Sequence, residues 1–271
     1  MIKASLPKRP KRPRLSINVM IPNMLTLMAL CSGLTAIRFA YEGRWEHATL
    51  AILAAAILDT LDGRIARLMK GTTKFGAELD SLADILSFGV APPMMLYFWS
   101  LQDVGRFGWV MVLLFAVSCA LRLARFNTAA EDPNPPAWAS TFFSGVPAPA
   151  AAGLVLLPMI ISFNLFEDFA RRPEVVSAFM IVVSILMVSS VPTYSFKKVK
   201  LSPKLVLPLM VTVGLVIASM VSAPWVTLSG VLVAYMISIP FAVRSYRKIC
   251  QRTGGRGSDG ETADDDNLNA Q

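Results

Sequence analysis

The chain has 271 residues, of which 54% are apolar and 16% charged, and its mean hydropathy is +0.54. That balance is too apolar and too poor in charge for an ordinary soluble domain. The formal net charge of +8 does not indicate nucleic acid, because the basic residues border apolar runs instead of lining one aromatic-bearing surface. Membrane lipids with anionic headgroups are the partner such a distribution suits.

The chain opens on a basic segment, residues 1–17, carrying Lys8, Arg9, Lys11, Arg12 and Arg14, which reads as a cytoplasmic topology signal or a lipid contact. About 20 apolar residues are needed to cross a bilayer as a helix. Runs of that order follow near 22–41, 46–69, 77–100, 107–125, 145–165, 174–192, 205–221 and 225–243. The expected fold class is therefore all-α, a polytopic membrane helix bundle with about eight transmembrane helices. The first run is longer than a secretory h-region and lacks an A-x-A cleavage site, so it is expected to be retained.

The Pro-rich, polar segment 126–144 is expected to be a cytoplasmic loop over the membrane face. Residues 193–250 supply a linker and the last two spans, and the tail 251–271, without apolar periodicity, is expected to be disordered. Placing both termini in the cytoplasm leaves only Arg38, Arg44, Arg106, Arg171 and Arg172 of the 26 basic residues on the far side, as the positive-inside rule requires. The expected location is the cytoplasmic (inner) membrane. Cys31, Cys119 and Cys250 show no paired spacing for a disulfide framework or a zinc site.

Four carboxylates break the apolar pattern. Asp59, Asp62, Asp80 and Asp84 fall inside otherwise apolar helices, where each mid-span Asp costs about 2.5–3.5 kcal/mol to insert. Asp59 and Asp62 are i and i+3 on the second span, while Gly76, Asp80 and Asp84 follow at i+4 steps on the third. Each helix thus gathers its acids on one face, and the short intervening turn lets the two faces meet near the cytoplasmic side. Four negative charges so close repel unless cations lie between them. Hard oxygen donors without His or Cys select Mg²⁺ or Mn²⁺, and two such ions would balance the charge in the arrangement used for phosphoryl chemistry. Gly63 permits close approach of a ligand, and Arg67 offers a bidentate cation for phosphate. The competing reading is that the acids form buried salt bridges with Arg64, Arg67 and Lys74. His47 lies at the opposite end of its span, which leaves proton transfer to a carboxylate.

The string "DTLDGRIARLMKGTTKFGAELDSLAD", residues 59–84, resembles the signature of the CDP-alcohol phosphatidyltransferases: D-x-x-D-G-x-x-A-R, eight residues, then G-x-x-x-D-x-x-x-D. Every defining position is present. The resemblance implies a six-helix core over residues 18–192, often dimeric, with a metal site open to the cytoplasm. It implies that Asp59, Asp62 and Asp80 are metal ligands, that Asp84 is both ligand and general base, and that Gly63, Arg67 and Thr73 contact the CDP moiety. "PNMLT" at 22–26 is similar to the family's first-helix motif and places Asn23 and Thr26 near the nucleotide; capping of the helix by Asn23 is the alternative.

"RLARFN" at 122–127, "FFSGVPAPAAA" at 142–152 and "PTYSFKK" at 192–198 resemble the branch of that family that uses serine as acceptor. The substrates so implied are CDP-diacylglycerol and L-serine, with CMP released. Arg122 and Arg125, at the cytoplasmic end of the fourth span, can bind the acceptor's carboxylate; anchoring a helix end among lipid headgroups is their alternative. A sister transferase using glycerol phosphate, inositol phosphate or choline remains open, as do a Mg²⁺ transporter and an inactive lipid-binding scaffold.

Overall fold

The computed structural model describes residues 17–69, 73–130, 142–189, 192–194 and 203–254. Its first two helices, α1 (Ile17–Tyr41) and α2 (Trp45–Leu68), form an antiparallel hairpin. The turn between them is a Schellman closure: Gly43, at φ 74°, donates to Ala40 O and Arg44 N donates to Phe39 O, which satisfies the last carbonyls of α1. Ala29, Gly33, Ala36 and Ala40 recur at helical spacing along α1 and are all buried, and α2 meets them with Ala48, Ile52 and Ala55. Small residues let the two backbones approach, and Ser32 Oγ reaches across to Ala51 O at 2.8 Å.

Gly33 faces the third helix at still closer range. A Cβ there would lie 2.5 Å from Ser87 Oγ and 2.7 Å from Ser87 Cα. Because the obstacle includes backbone, it cannot rotate away. Gly33→Ala should therefore force α1 off its neighbour and destabilise the fold by about 1–3 kcal/mol. The check is the midpoint of thermal unfolding in detergent, and an unchanged midpoint would show that the contact yields without cost.

Helix α3 runs from Lys74 to Val104, with π-helical stretches at Ile85–Val90 and Tyr97–Leu101 and a final 3₁₀ turn at Gln102–Val104. Pro92 and Pro93 explain the first stretch. Neither has an N–H to give to the carbonyls of Phe88 and Gly89, so the helix cannot keep its ordinary register there. It widens instead, and Ala91 N donates to Leu86 O.

The remaining elements are α4 (Arg106–Ala130), β1 (Phe142–Ser144), α5 (Ala148–Val155), α6 (Leu157–Ser162), α7 (Glu167–Ala170), α8 (Pro173–Val188), β2 (Pro192–Tyr194), α9 (Pro203–Ser222) and α10 (Pro224–Gly254). Helices α4 and α8 pack side by side in the same direction. At one end Arg171 Nε donates to Trp99 O at 3.1 Å and Ser100 Oγ to Arg171 O at 2.6 Å. At the other, Arg125 Nη1 donates to Val188 O at 2.9 Å. The core they enclose is built on Phe88, Met95, Phe115, Leu154, Met159 and Met180.

The expected membrane helix bundle holds, with one two-stranded sheet beside the helices. Among the described residues, three helices are long and apolar enough to cross a bilayer: Met20–Tyr41, Lys74–Val104 and Arg106–Ala129. Pro173–Val188, Met210–Ser222 and Pro224–Pro240 are shorter apolar helices. Several expected boundaries shift. Of the loop expected over 126–144, residues 126–130 continue helix α4 and Phe142–Ser144 form strand β1. That strand pairs antiparallel with β2, with Phe142 opposite Tyr194 and Ser144 opposite Pro192. The run at 145–165 divides into α5 and α6 because Pro158 cannot donate to Leu154. Helix α10 continues past Gln251 to Gly254, so residues 251–254 of the expected disordered tail are helical. The basic residues before Ile17, Lys70, Thr72, Lys197, Lys198, Lys200 and the tail after Gly254 lie outside the described residues.

Candidate active site

The acids stand where α2 ends and α3 begins. Thr73 caps α3, its Oγ1 accepting from Gly76 N at 3.0 Å, which fixes the start of the helix two turns before Asp80. Carboxylate oxygens of Asp59, Asp62 and Asp80 lie within 4.8 Å of one another. Asp62 is only 3% exposed and accepts from Thr26 Oγ1 at 2.6 Å, so α1 joins the site through Thr26. Asn23, one turn earlier, packs on Gly76: a Cβ at Gly76 would lie 2.9 Å from Asn23 Oδ1. Asn23 sits inside α1, which begins at Ile17, and so does not cap that helix.

Asp84, one turn beyond Asp80, lies beside Asp59 and Asp80 and within electrostatic range of Arg122 on α4. The two arginines expected to act together are separated. Arg125 is exposed and its guanidinium is engaged by Val188 O. Arg122 is turned inward, and its Nε is buried without a hydrogen-bond partner. Asn127 Nδ2 donates to Ser81 Oγ at 2.9 Å, a second tie between α4 and the acid-bearing face of α3.

The cationic side chains of the signature do not neutralise the acids. Arg67 is exposed and donates through Nε to Gly63 O at 2.9 Å, leaving its terminal nitrogens for a ligand. The nearest atom to a Cβ placed on Gly63 is Arg67 Nη2, 3.9 Å away, so the backbone beside Asp62 is open. Among the described residues the ion pairs are Arg38 with Glu42 at 2.9 Å and Arg44 with Glu42 at 3.7 Å, far from Arg64, Arg67 and Lys74. The salt-bridge alternative therefore lacks its pairs. Three carboxylates converging without a cationic side chain form a hard-oxygen donor set suited to a divalent metal.

Two side chains had no signal in the sequence. Ser184 on α8 is 2% exposed and its Oγ has no partner; by spacing it is one more small residue on an apolar helix. Tyr235 on α10 packs against the core within electrostatic range of Arg122, a pairing between positions too distant in the chain for periodicity to connect.

A membrane helix bundle with this acid cluster on D-x-x-D-G-x-x-A-R and G-x-x-x-D-x-x-x-D defines a transferase class. Residues 19–193 match the CDP-alcohol phosphatidyltransferase family and residues 204–240 match CDP-alcohol phosphatidyltransferase 2; the chain belongs to the CDP-alcohol phosphatidyltransferase family. Among curated proteins it is 40% identical over 241 residues to the CDP-diacylglycerol--serine O-phosphatidyltransferase of Mycobacterium tuberculosis, covering 89% of this chain and 84% of that one. The protein of the same name from Helicobacter pylori is 36% identical over 197 residues, 73% of this chain and 81% of its own length. That of Bacillus subtilis is 33% identical over 178 residues, 66% and 92% respectively.

Proposed function

We infer that the protein transfers the phosphatidyl group of CDP-diacylglycerol to the hydroxyl of L-serine, forming phosphatidylserine and releasing CMP. The observation that carries this reading is Asp84 one turn beyond Asp80 and within electrostatic range of Arg122: one group to take a proton and a cation for a carboxylate. The names of the relatives support serine as the acceptor.

Asp59, Asp62 and Asp80 would hold the metal, with Asp84 at its edge, and the reading assigns two ions, Mg²⁺ or Mn²⁺. When bound, such ions neutralise phosphate charge and favour departure of the nucleotide. The chain's own groups supply the rest. Thr26 holds the Asp62 carboxylate in place, Asn23 and Thr73 border the nucleotide, and the Arg67 guanidinium binds phosphate over the open backbone at Gly63. Asp84 accepts the hydroxyl proton of serine as its oxygen forms a bond to the lipid-bearing phosphorus. The phosphorus–oxygen bond to CMP breaks, and CMP leaves with the electron pair. No covalent intermediate with the protein is needed, because orientation and charge complementarity supply most of the acceleration. Arg122 holds the serine carboxylate away from the acids, while Arg125 fixes the end of α8.

The same reading places the protein as a homodimer in the inner membrane, with about eight spans, both termini in the cytoplasm and the site facing it. The six-helix core is residues 18–192, followed by the additional helices of 193–250 and the tail. The distribution of Lys and Arg supports the orientation. The deciding experiment is CMP release by purified protein in lipid nanodiscs supplied with CDP-diacylglycerol and, separately, serine, glycerol phosphate, inositol phosphate or choline. Serine-dependent release is expected; release with another alcohol alone would reassign the acceptor, and none with any would remove the transferase reading.

A further inference from the structure

Among the described residues, two buried side-chain polar atoms have no hydrogen-bond partner, Arg122 Nε on α4 and Ser184 Oγ on α8. They belong to one level of the bundle. Helices α4 and α8 run the same way and are tied where Arg125 meets Val188 O. Arg122 lies three residues before Arg125 and Ser184 four before Val188, so each is about one helical turn, roughly 5 Å, back from that tie. Burying a hydroxyl without a partner costs about 1–3 kcal/mol, and a fold gains nothing by keeping two such groups together. Orphaned donors and acceptors at one level are what a binding recess looks like before its polar ligand arrives.

Helix α10 packs on α5, α6 and β2 and turns one stripe of side chains toward the core. Leu232, Tyr235, Met236 and Ile239 pack on the core at i, i+3, i+4 and i+7, the stripe by which an amphipathic helix faces its bundle. Leu232 sets the register: a Cβ on Gly153 of α5 would lie 2.8 Å from its Cδ2. The stripe brings Tyr235 within electrostatic range of Arg122, and Arg122 is within the same range of Asp84.

We propose that Ser184 and Tyr235 line the acceptor recess with Arg122 and recognise the amino-acid group of the incoming alcohol, so that α10, outside the aspartate signature, helps to set acceptor choice. The proposal rests on the serine reading above. In it the Tyr235 hydroxyl donates to the serine carboxylate alongside Arg122, and Ser184 Oγ accepts from the serine ammonium. The serine hydroxyl is then left pointing toward Asp84. Both are specificity-determining residues; neither takes part in bond making.

The test compares Ser184→Ala, Tyr235→Phe and the wild type in nanodiscs, measuring KM for serine, KM for CDP-diacylglycerol, and the thermal midpoint with and without L-serine. Each variant should raise KM for serine about three- to tenfold, the value of one hydrogen bond, with KM for CDP-diacylglycerol within about twofold. Ser184→Ala separates binding from structure, because deleting an unpartnered buried hydroxyl should leave the ligand-free midpoint unchanged or raise it. The rise in midpoint produced by L-serine should shrink in both variants. Unchanged KM for serine, or equal shifts in both KM values, would overturn the proposal. A wild type that releases CMP without any dependence on serine would instead overturn the serine reading on which it rests.

Discussion

Asn in place of Asp59, Asp62 or Asp80 is expected to lower CMP release on the order of a thousandfold, the upper range for removing one electrostatic group from an active site. The geometry explains why no single substitution should be mild. The three carboxylates lie within 4.8 Å of one another, and no cationic side chain among the described residues pairs with them, so each contributes to one shared donor set. EDTA should abolish activity and added Mg²⁺ or Mn²⁺ restore it, because the proposed reaction needs charge neutralisation at the phosphates. Asp84→Asn should be equally inactive in turnover, within the roughly hundred- to ten-thousandfold span of lost general-base catalysis. It should retain more affinity for the CDP-lipid than Asp59→Asn does. Measuring turnover and CDP-diacylglycerol binding on the same preparations separates the two roles, and near-normal turnover in any variant would remove the mechanism.

Arg122→Ala should raise KM for serine by tens-fold or more while moving KM for CDP-diacylglycerol little, since a charge-assisted contact is worth about 1.5–3 kcal/mol. Arg125→Ala should do neither. Its guanidinium is engaged by Val188 O at the end of α8, so its loss should appear as a lower thermal midpoint with both KM values near those of the wild type. Equal shifts in KM for the two substrates on losing Arg122 would return that residue to a purely structural role.

The acid cluster was legible because its chemistry follows helical spacing. Asp59 with Asp62, and Gly76 with Asp80 and Asp84, mark one face on each of two helices, and a short turn can only bring such faces together. The separation of Arg122 from Arg125 was not legible. Residues at i and i+3 share a face in projection, yet whether a long side chain turns inward or reaches a neighbouring carbonyl depends on what packs beside it, here the end of α8. The pairing of Phe142–Ser144 with Pro192–Tyr194 joins segments about fifty residues apart, and three-residue strands leave no periodic trace. Ser184 was invisible for a related reason: its importance lies in a partner it lacks. The division at Leu156 was readable in retrospect from Pro158, and the continuation of α10 to Gly254 shows that polar composition alone does not end a helix.

The widened turn of α3 at Ile85–Val90 has a consequence for how this chain can vary. A π-helical turn carries one residue more than the α-helical turn it replaces, and one residue is worth about 100° of rotation. The segment bearing Asp80 and Asp84 therefore keeps its own angular phase, offset from that of Phe88 and Met95 in the core. Rewinding the same residues to an ordinary pitch would swing the two acids about a quarter-turn away from α2, whereas deleting one residue there would restore an α-helical turn and leave them facing as they do. The turn works as a phase adjuster between chemistry and packing: it takes up one residue so that the aspartates face α2 while Phe88 and Met95 face the core.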